Sequence, residues 1–191
     1  MEKQGFAKSV STQVIKLAQK GDRSAFETIY QTYATACFNL AFRICRDRLM
    51  AEDIVQTSFI KVIKKIQQFN HQGAFAGWLK RIVSNESINR IRAESRMMLV
   101  EDEEDLKVDQ ESLFTSNWAI TAHDLDGLLQ SLSETARAVL LLHEVEGYNH
   151  QEIADMFGKS ESFSKVTLSR AYKHLRSLVD ESSDGKKNAL N

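Results

Sequence analysis

The chain of 191 residues contains no proline and only eight glycines. Proline in a helix interior breaks the helix, and glycine weakens it, so a chain that nearly lacks both favours helices joined by short turns. The turns of a β-rich fold are usually rich in glycine and proline. A β-rich fold therefore fits this composition poorly. We therefore predict an all-α fold.

Apolar residues recur at spacings of three and four in the first half, which indicates amphipathic helices. The first helix is expected to begin after an Asp22 cap and to end near Arg46, followed by a turn at residues 47–50. Its apolar positions are Phe26, Ile29, Tyr30, Tyr33, Cys37, Phe38, Leu40, Ala41, Ile44 and Cys45. Those of the second helix are Ile54, Val55, Phe59, Val62, Ile63 and Ile66. Those of the third are Phe75, Trp78, Leu79, Ile82 and Val83.

The polar faces of the second and third helices differ in kind. The second carries Asp53, Gln56 and Lys61, groups that suit a partner protein. The third carries cations and amides, namely Lys80, Arg81, Asn85, Asn89, Arg92 and Arg96. Such groups, beside a loop that contains Phe69, Asn70 and His71, suit phosphates and unstacked bases. An amphipathic helical hairpin with a solvated basic face is the alternative.

Charge is divided into blocks, and the blocks predict the domains. Residues 22–96 hold 12 basic and 7 acidic residues, residues 97–126 hold 1 and 9, and residues 127–179 hold 6 of each. The chain is therefore expected to consist of two small helical domains joined by an acidic linker. The predicted segments are a lead-in at 1–21, a first domain at 22–96, a linker at 97–123, a second domain at 124–179 and a tail at 180–191.

The linker is too acidic to form a core of its own. It nevertheless contains Leu113, Phe114, Trp118 and Ile120. Either these residues dock on one of the domains, or the acidic run mimics nucleic acid inside a basic channel of a partner.

The second domain has the signature of a helix-turn-helix. After a helix at 124–132, Ser133 is expected to cap a helix that ends at Gly147, and Asn149 with Glu152 forms a capping box. Gly158 permits the sharp turn into a last helix that begins at Ser160 or Ser162 and runs to Val179.

The last helix is basic and suits a major groove. The residues expected at its base-reading end are Ser162, Phe163, Ser164, Lys165 and Thr167. Arg170, Lys173 and Arg176 are expected to hold phosphates. Similar hairpins also occur in proteins that never bind DNA, which is the alternative.

No enzyme chemistry is expected from this sequence. It contains no phosphate-cradling glycine loop, nucleophile elbow or paired-histidine motif, so we predict no catalytic residue, metal, cofactor or small-molecule substrate. Cys37 and Cys45 are expected to be core residues. The apolar runs are too short for membrane insertion, and the first residues do not resemble a signal peptide, so the cytoplasm is expected.

Both halves together resemble an extracytoplasmic-function RNA polymerase sigma factor. AEDIVQTSF (51–59) is similar to the family's polymerase-binding signature, and FAGWLKRIVSNESINRIR (75–92) to its promoter-melting helix. Residues 133–176 are similar to its helix-turn-helix region. The resemblance implies three partners: core RNA polymerase, promoter DNA and an anti-sigma factor.

The resemblance also implies residue roles. Asp53, Ile54, Gln56 and Phe59 would bind core polymerase. Contacts to the minus-ten element would come from Phe69, Asn70, His71, Trp78, Arg81, Asn85, Asn89, Arg92 and Arg96. Contacts to the minus-thirty-five element would come from Arg137, Ser162, Phe163, Ser164, Lys165, Thr167, Arg170 and Lys173. The chain departs from the family pattern at Asn89, Phe163 and Thr167, so its minus-thirty-five sequence is not predictable.

Two further hypotheses remain open. A free-standing helix-turn-helix regulator would form a stable homodimer and bind duplex DNA without polymerase. A helical adaptor would bind only protein and would show no salt-dependent affinity for DNA.

Overall fold

The computed structural model describes residues 5–97 and 127–188, with side chains described over 5–94 and 127–179. The chain divides into two compact units between Ala93 and Glu94, and each unit is described by itself. Every regular element within the described ranges is helical, which confirms the all-α prediction. The predictions for residues 98–126, including the apolar residues of the linker, concern residues outside the described ranges.

The first unit contains four α-helices. A 3₁₀ turn at Gly5–Ala7 precedes α1 (Thr12–Gln19), α2 (Arg23–Cys45) and α3 (Arg48–Lys65). A second 3₁₀ turn (Ile66–Gln68) and a short loop lead to α4 (Phe75–Met97).

Side-chain caps determine where the helices of this unit begin. Asp22 accepts a hydrogen bond from the Ala25 amide at 2.8 Å, as predicted for the start of α2. Asp47 accepts from the Met50 amide at 2.7 Å, so α3 begins at Arg48 and the predicted turn at 47–50 is wrong. The carboxylate in each case satisfies an amide that has no partner within the helix.

Most of the core of the first unit comes from the predicted apolar faces, and Ile88 and Ile91 of α4, which were not predicted, complete it. Its fully buried large side chains are Ile29, Tyr33, Leu40, Ile44, Ile54, Val62, Ile66, Leu79, Ile88 and Ile91. Cys37 and Cys45 are buried free thiols. Burial raises the pKa of Cys37 to about 12, which keeps it protonated and unreactive.

Two predicted core positions, Tyr30 and Ile63, are exposed. Ile63 is 56% exposed because Val62 and Ile66 occupy the buried side of α3, and a residue next to Val62 is rotated by about 100° from it. Ile60 on the same helix is also exposed.

The second unit contains the predicted helix-turn-helix. A helical turn at 127–130 precedes α5 (Glu134–Leu140), which continues as a π turn (Leu141–Val145) that the sequence did not indicate. Then follow α6 (His150–Phe157) and α7 (Glu161–Asn188).

The local signals in this unit are confirmed. Ser133 caps α5, and Asn149 forms a reciprocal capping box with Glu152 at 2.9 and 3.1 Å. Gly158 ends α6 in the left-handed conformation with φ 64°. Of these features, the left-handed Gly158 produces the sharp turn between α6 and α7.

The predicted end of the last helix at Val179 is wrong. The backbone of α7 continues to Asn188, through part of the segment assigned to a tail. The apolar periodicity fades after Val179, but no proline follows to stop the helix. Within the described residues no helix is long and apolar enough to cross a membrane.

Candidate nucleic-acid interface

The loop between α3 and α4 stands on a cluster of aromatic rings. The Phe69 ring lies 5.3 Å from Phe75, 5.6 Å from Trp78 and 5.1 Å from His71, measured between centroids. Phe69 is only 6% exposed, so it supports the loop and does not present its ring to a ligand. The predicted contact between Phe69 and DNA stays a prediction, and the burial of the ring does not favour it.

The exposed part of this loop is polar. Asn70 and His71 are exposed, and the Asn70 side-chain oxygen accepts a hydrogen bond from the Gln72 amide at 3.0 Å. His71 lies in the left-handed region with φ 61°, and Gly73 follows with φ 112°. Histidine is uncommon there, so the surrounding contacts must hold this conformation.

Those contacts come from α1, which lies in the segment predicted only as a lead-in. The side-chain amide of Gln19 donates to the carbonyls of Ile66 at 3.0 Å and Phe69 at 2.9 Å. Its oxygen lies 3.2 Å from His71 Nε2. No local pattern indicates a contact across about fifty residues, so sequence reasoning missed Gln19.

The helix that follows the loop carries its cations and amides along one side. The predicted residues Arg81, Asn85, Asn89, Arg92 and Arg96 are spaced by three or four residues. Of these, Arg81 and Asn89 are exposed, Asn85 and Arg92 are half-buried, and the Arg96 side chain lies outside the described residues. Spacing of this kind places side chains on one helix face. Trp78, at the start of α4, is half-buried in the aromatic cluster.

The face of α3 predicted to bind polymerase is only partly accessible. Asp53 and Gln56 are exposed, and Asp53 forms an ion pair with Arg90 of α4. Ile54 is 2% exposed, and Phe59 is buried with its ring 4.8 Å from that of Tyr30. Ile54 and Phe59 both fill the core, and their predicted contacts with polymerase stay predictions that this burial does not favour.

In the second unit several of the residues predicted at the base-reading end of α7 are exposed. Ser162 and Lys165 are exposed, as are Arg170 and Lys173, while Thr167 is half-buried. Phe163 is also half-buried and packs 5.3 Å from Phe157, measured between ring centroids.

Ser164 and Arg137 are both buried, and their predicted contacts with DNA stay predictions. Ser164 has no exposed surface, and its hydroxyl lies 3.1 Å from His150 Nδ1. Arg137 is 5% exposed, and its guanidinium donates to the Leu132 carbonyl at 3.3 Å. Ser164 therefore joins α6 to α7, and Arg137 holds the start of α5.

His150 belongs to a polar cluster next to α7, together with His143, Glu144 and Tyr172. Its ring stacks on His143 at 4.4 Å between centroids. Burial and then the neighbouring His143 lower the pKa of His150. Burial acts to raise the pKa of Glu144, but hydrogen bonds with Tyr172 and His143 outweigh it and lower that pKa. Within the described residues no group of three or more histidines, cysteines and carboxylates could hold a metal ion.

Comparison with known protein families identifies the kind of protein that carries these two surfaces. Residues 29–97 match sigma-70 region 2, and residues 122–175 match sigma-70 region 4. The chain is an extracytoplasmic-function sigma factor. Such a protein binds core RNA polymerase and directs promoter recognition and transcription initiation.

The similarity of the chain to individual sigma factors supports this assignment. The chain is 27% identical over 162 residues to RNA polymerase sigma factor CarQ of Myxococcus xanthus, covering 84% of this chain and 92% of that one. It is 28% identical over 168 residues to ECF RNA polymerase sigma factor SigE of Mycolicibacterium smegmatis, covering 83% and 64%.

A solved structure has the same fold. The sigma factor RpoE from Bartonella quintana, in complex with the anti-sigma factor NepR, superposes with a TM-score of 0.53 at 22% identity. The match covers 81% of this chain and 96% of that chain. CnrH, solved with the cytosolic domain of CnrY, gives a TM-score of 0.52 at 21% identity, with coverages of 88% and 96%.

Proposed function

We propose that this sigma factor captures a flipped base of the minus-ten element at the exposed loop formed by Asn70 and His71. The single observation that carries the proposal is the position of these polar side chains. They stand on a packed aromatic base, directly before a helix whose exposed face is cationic and amide-rich. Unstacking a base costs a few kcal/mol, and contacts in a shaped pocket repay that cost only for a matching base.

The face of α4 would hold the separated strands. Arg81 and Arg92 suit phosphates, while Asn85 and Asn89 offer both donors and acceptors to base edges. The aromatic rings beneath the loop are engaged with one another, so their role is to give the loop a rigid base.

The second unit would read the minus-thirty-five element through the exposed side chains of α7. Ser162 and Lys165 lie at its first turns, where a recognition helix meets base edges, and Arg170 and Lys173 follow at positions suited to phosphates. Core polymerase would engage α3 through Asp53 and Gln56, the accessible members of the predicted set.

Regulation and location follow from the family as part of the same proposal. One solved structure with the same fold is a complex of the sigma factor RpoE with the anti-sigma factor NepR, and another is a complex of CnrH with the cytosolic domain of CnrY. We propose that an anti-sigma factor likewise sequesters this chain, that it acts in the cytoplasm with polymerase, and that catalysis resides in the polymerase alone.

Base capture is testable with holoenzyme assembled from the full chain and bacterial core polymerase. A promoter is first enriched from a randomised duplex library, and 2-aminopurine is placed in turn at each minus-ten position. One position should gain fluorescence on binding because its base leaves the stack. The gain should fall at least fivefold in the Asn70→Ala, His71→Ala double variant and persist in Thr35→Ala, an exposed change on α2. Stacked bases at every position in wild-type complexes would refute the proposal.

A further inference from the structure

The Gln19 side chain of α1 forms several hydrogen bonds with the turn and loop that follow α3. Its side chain has two N–H donors and one carbonyl acceptor. The donors reach the carbonyls of Ile66 and Phe69, and the acceptor faces His71 Nε2. The backbone carbonyl of Gln19 also accepts a hydrogen bond from the Gln67 side chain.

These contacts hold both ends of the short turn that follows α3. Ile66 begins this 3₁₀ turn and Phe69 directly follows it, and the Ile66 carbonyl also accepts a hydrogen bond from the Phe69 amide at 3.1 Å. One amide group therefore ties both ends of this turn to α1. Because the two carbonyls can only accept, the Gln19 nitrogen must face them and its oxygen must face His71.

The orientation of Gln19 also determines the state of the His71 ring. The Gln19 oxygen can only accept, so Nε2 of His71 must carry a proton. The ring is thus held as an Nε2–H donor while the backbone of His71 occupies the left-handed region at φ 61°. Ordering these groups before DNA binds removes part of the entropy cost of forming the complex.

We infer that Gln19 is a positioning residue that sets the conformation of the base-capture loop. The inference rests on the proposed function of that loop. It extends the site to a helix that precedes the segment matched to sigma-70 region 2, which begins at residue 29. The described contacts of the Gln19 side chain are all with the turn and loop after α3. Gln19 therefore acts on the captured base through Asn70 and His71.

The test uses full-length holoenzymes and the single-stranded sequence that wild-type holoenzyme enriches from a random 12-nucleotide pool. Gln19→Glu replaces the donor nitrogen by an acceptor that faces two carbonyls, and Gln19→Met keeps the length of the side chain without hydrogen bonds. Gln13→Ala, an exposed change on the same helix, is the matched control.

We expect both Gln19 variants to bind the enriched strand about tenfold more weakly than wild type. The discrimination among the four bases should fall at the captured position and stay unchanged at the others, which general destabilisation would not produce. Co-elution with core polymerase should be unchanged. In the free protein, ¹⁵N spectra should show His71 as the Nε2–H form in wild type and Gln13→Ala, and as a mixture in Gln19→Met.

The outcomes separate the inference from the function on which it rests. If wild type enriches a sequence and both Gln19 variants match its affinity and base discrimination, the inference is overturned and base capture stands. If wild type enriches no sequence, base capture itself fails. If Gln19→Glu unfolds, Gln19→Met and the His71 spectra decide, and an unaltered His71 ring in that variant overturns the inference.

Discussion

At the scale of single residues, burial separates side chains that hold the fold from those that can reach a partner. Ile54, Phe69, Arg137 and Ser164 all fall at positions where the family resemblance implies a contact, and all four are buried. Asp53, Gln56, Asn70 and His71 are exposed beside them. The accessible set is therefore smaller and more polar than the sequence predicted.

Arg137 gives the sharpest test of this distinction. Arg137→Ala should lower the free energy of unfolding of the second unit by about 2–3 kcal/mol, because it removes a charged donor from the buried Leu132 carbonyl. Arg170→Ala removes an exposed cation and should change it by less than about 0.5 kcal/mol. Urea unfolding of the full chain, followed by hydrogen exchange in α5 and α7, measures both.

The same pair of variants also separates stability from DNA binding. Arg170→Ala should reduce the salt dependence of duplex binding by the holoenzyme, since it removes a phosphate contact. If Arg137→Ala keeps wild-type stability and loses that salt dependence instead, Arg137 is a phosphate contact after all.

What the sequence could predict about single residues was their helix and approximate face. Positions such as Val62 and Ile63 both satisfy a spacing of three and four from Phe59, yet Val62 is buried and Ile63 exposed. Which of two adjacent residues faces the core depends on how the helices pack, and that information lies in contacts distant along the chain.

At the scale of secondary-structure elements, short-range signals were the most predictable. Asp22, Ser133 and Asn149 each cap a helix as predicted, because a cap bonds to an amide three residues away. The π turn at 141–145 and the hydrogen bonds from Gln19 to the loop were not predictable, since neither has a signature in local periodicity. The link from His150 on α6 to Ser164 on α7 belongs to the same long-range class.

The burial of His150 makes the stability of the second unit depend on pH. Burial lowers the pKa of His150, so the unfolded chain takes up a proton more readily than the folded one. The contribution is complete above the unfolded pKa near 6.5 and is lost as the pH falls from there through the lower pKa of the folded state. The charged or titratable neighbours are His143, Glu144, Glu161 and Lys165. The lowered pKa of Glu144 acts only below about pH 4.5.

Unfolding midpoints measured from pH 7.5 to 5.0 should therefore fall for wild type and remain flatter for His150→Gln. His174→Gln changes an exposed histidine of α7 and should keep the wild-type slope. Equal slopes for wild type and His150→Gln would show that the cluster does not couple folding to protonation in this range.

At the scale of the whole molecule, the blocks of charge in the sequence coincide with the two surfaces proposed to bind DNA. The basic block at 22–96 contains the loop and the cationic face of α4, and the neutral block at 127–179 contains the helix-turn-helix. The sequence predicted both units, because each has a complete local pattern. The predicted boundaries at residues 21, 96, 123 and 179 remain predictions, although α1 makes its loop contacts across the first of them.

The most direct test of the account is co-elution of the full chain with sigma-free bacterial core polymerase. Wild type should form a one-to-one complex, and Asp53→Ala with Gln56→Ala should abolish it without unfolding the chain, since both side chains are exposed. Thr35→Ala should bind as wild type. A wild-type chain that elutes apart from polymerase as a homodimer would contradict the account and favour a free-standing DNA-binding regulator.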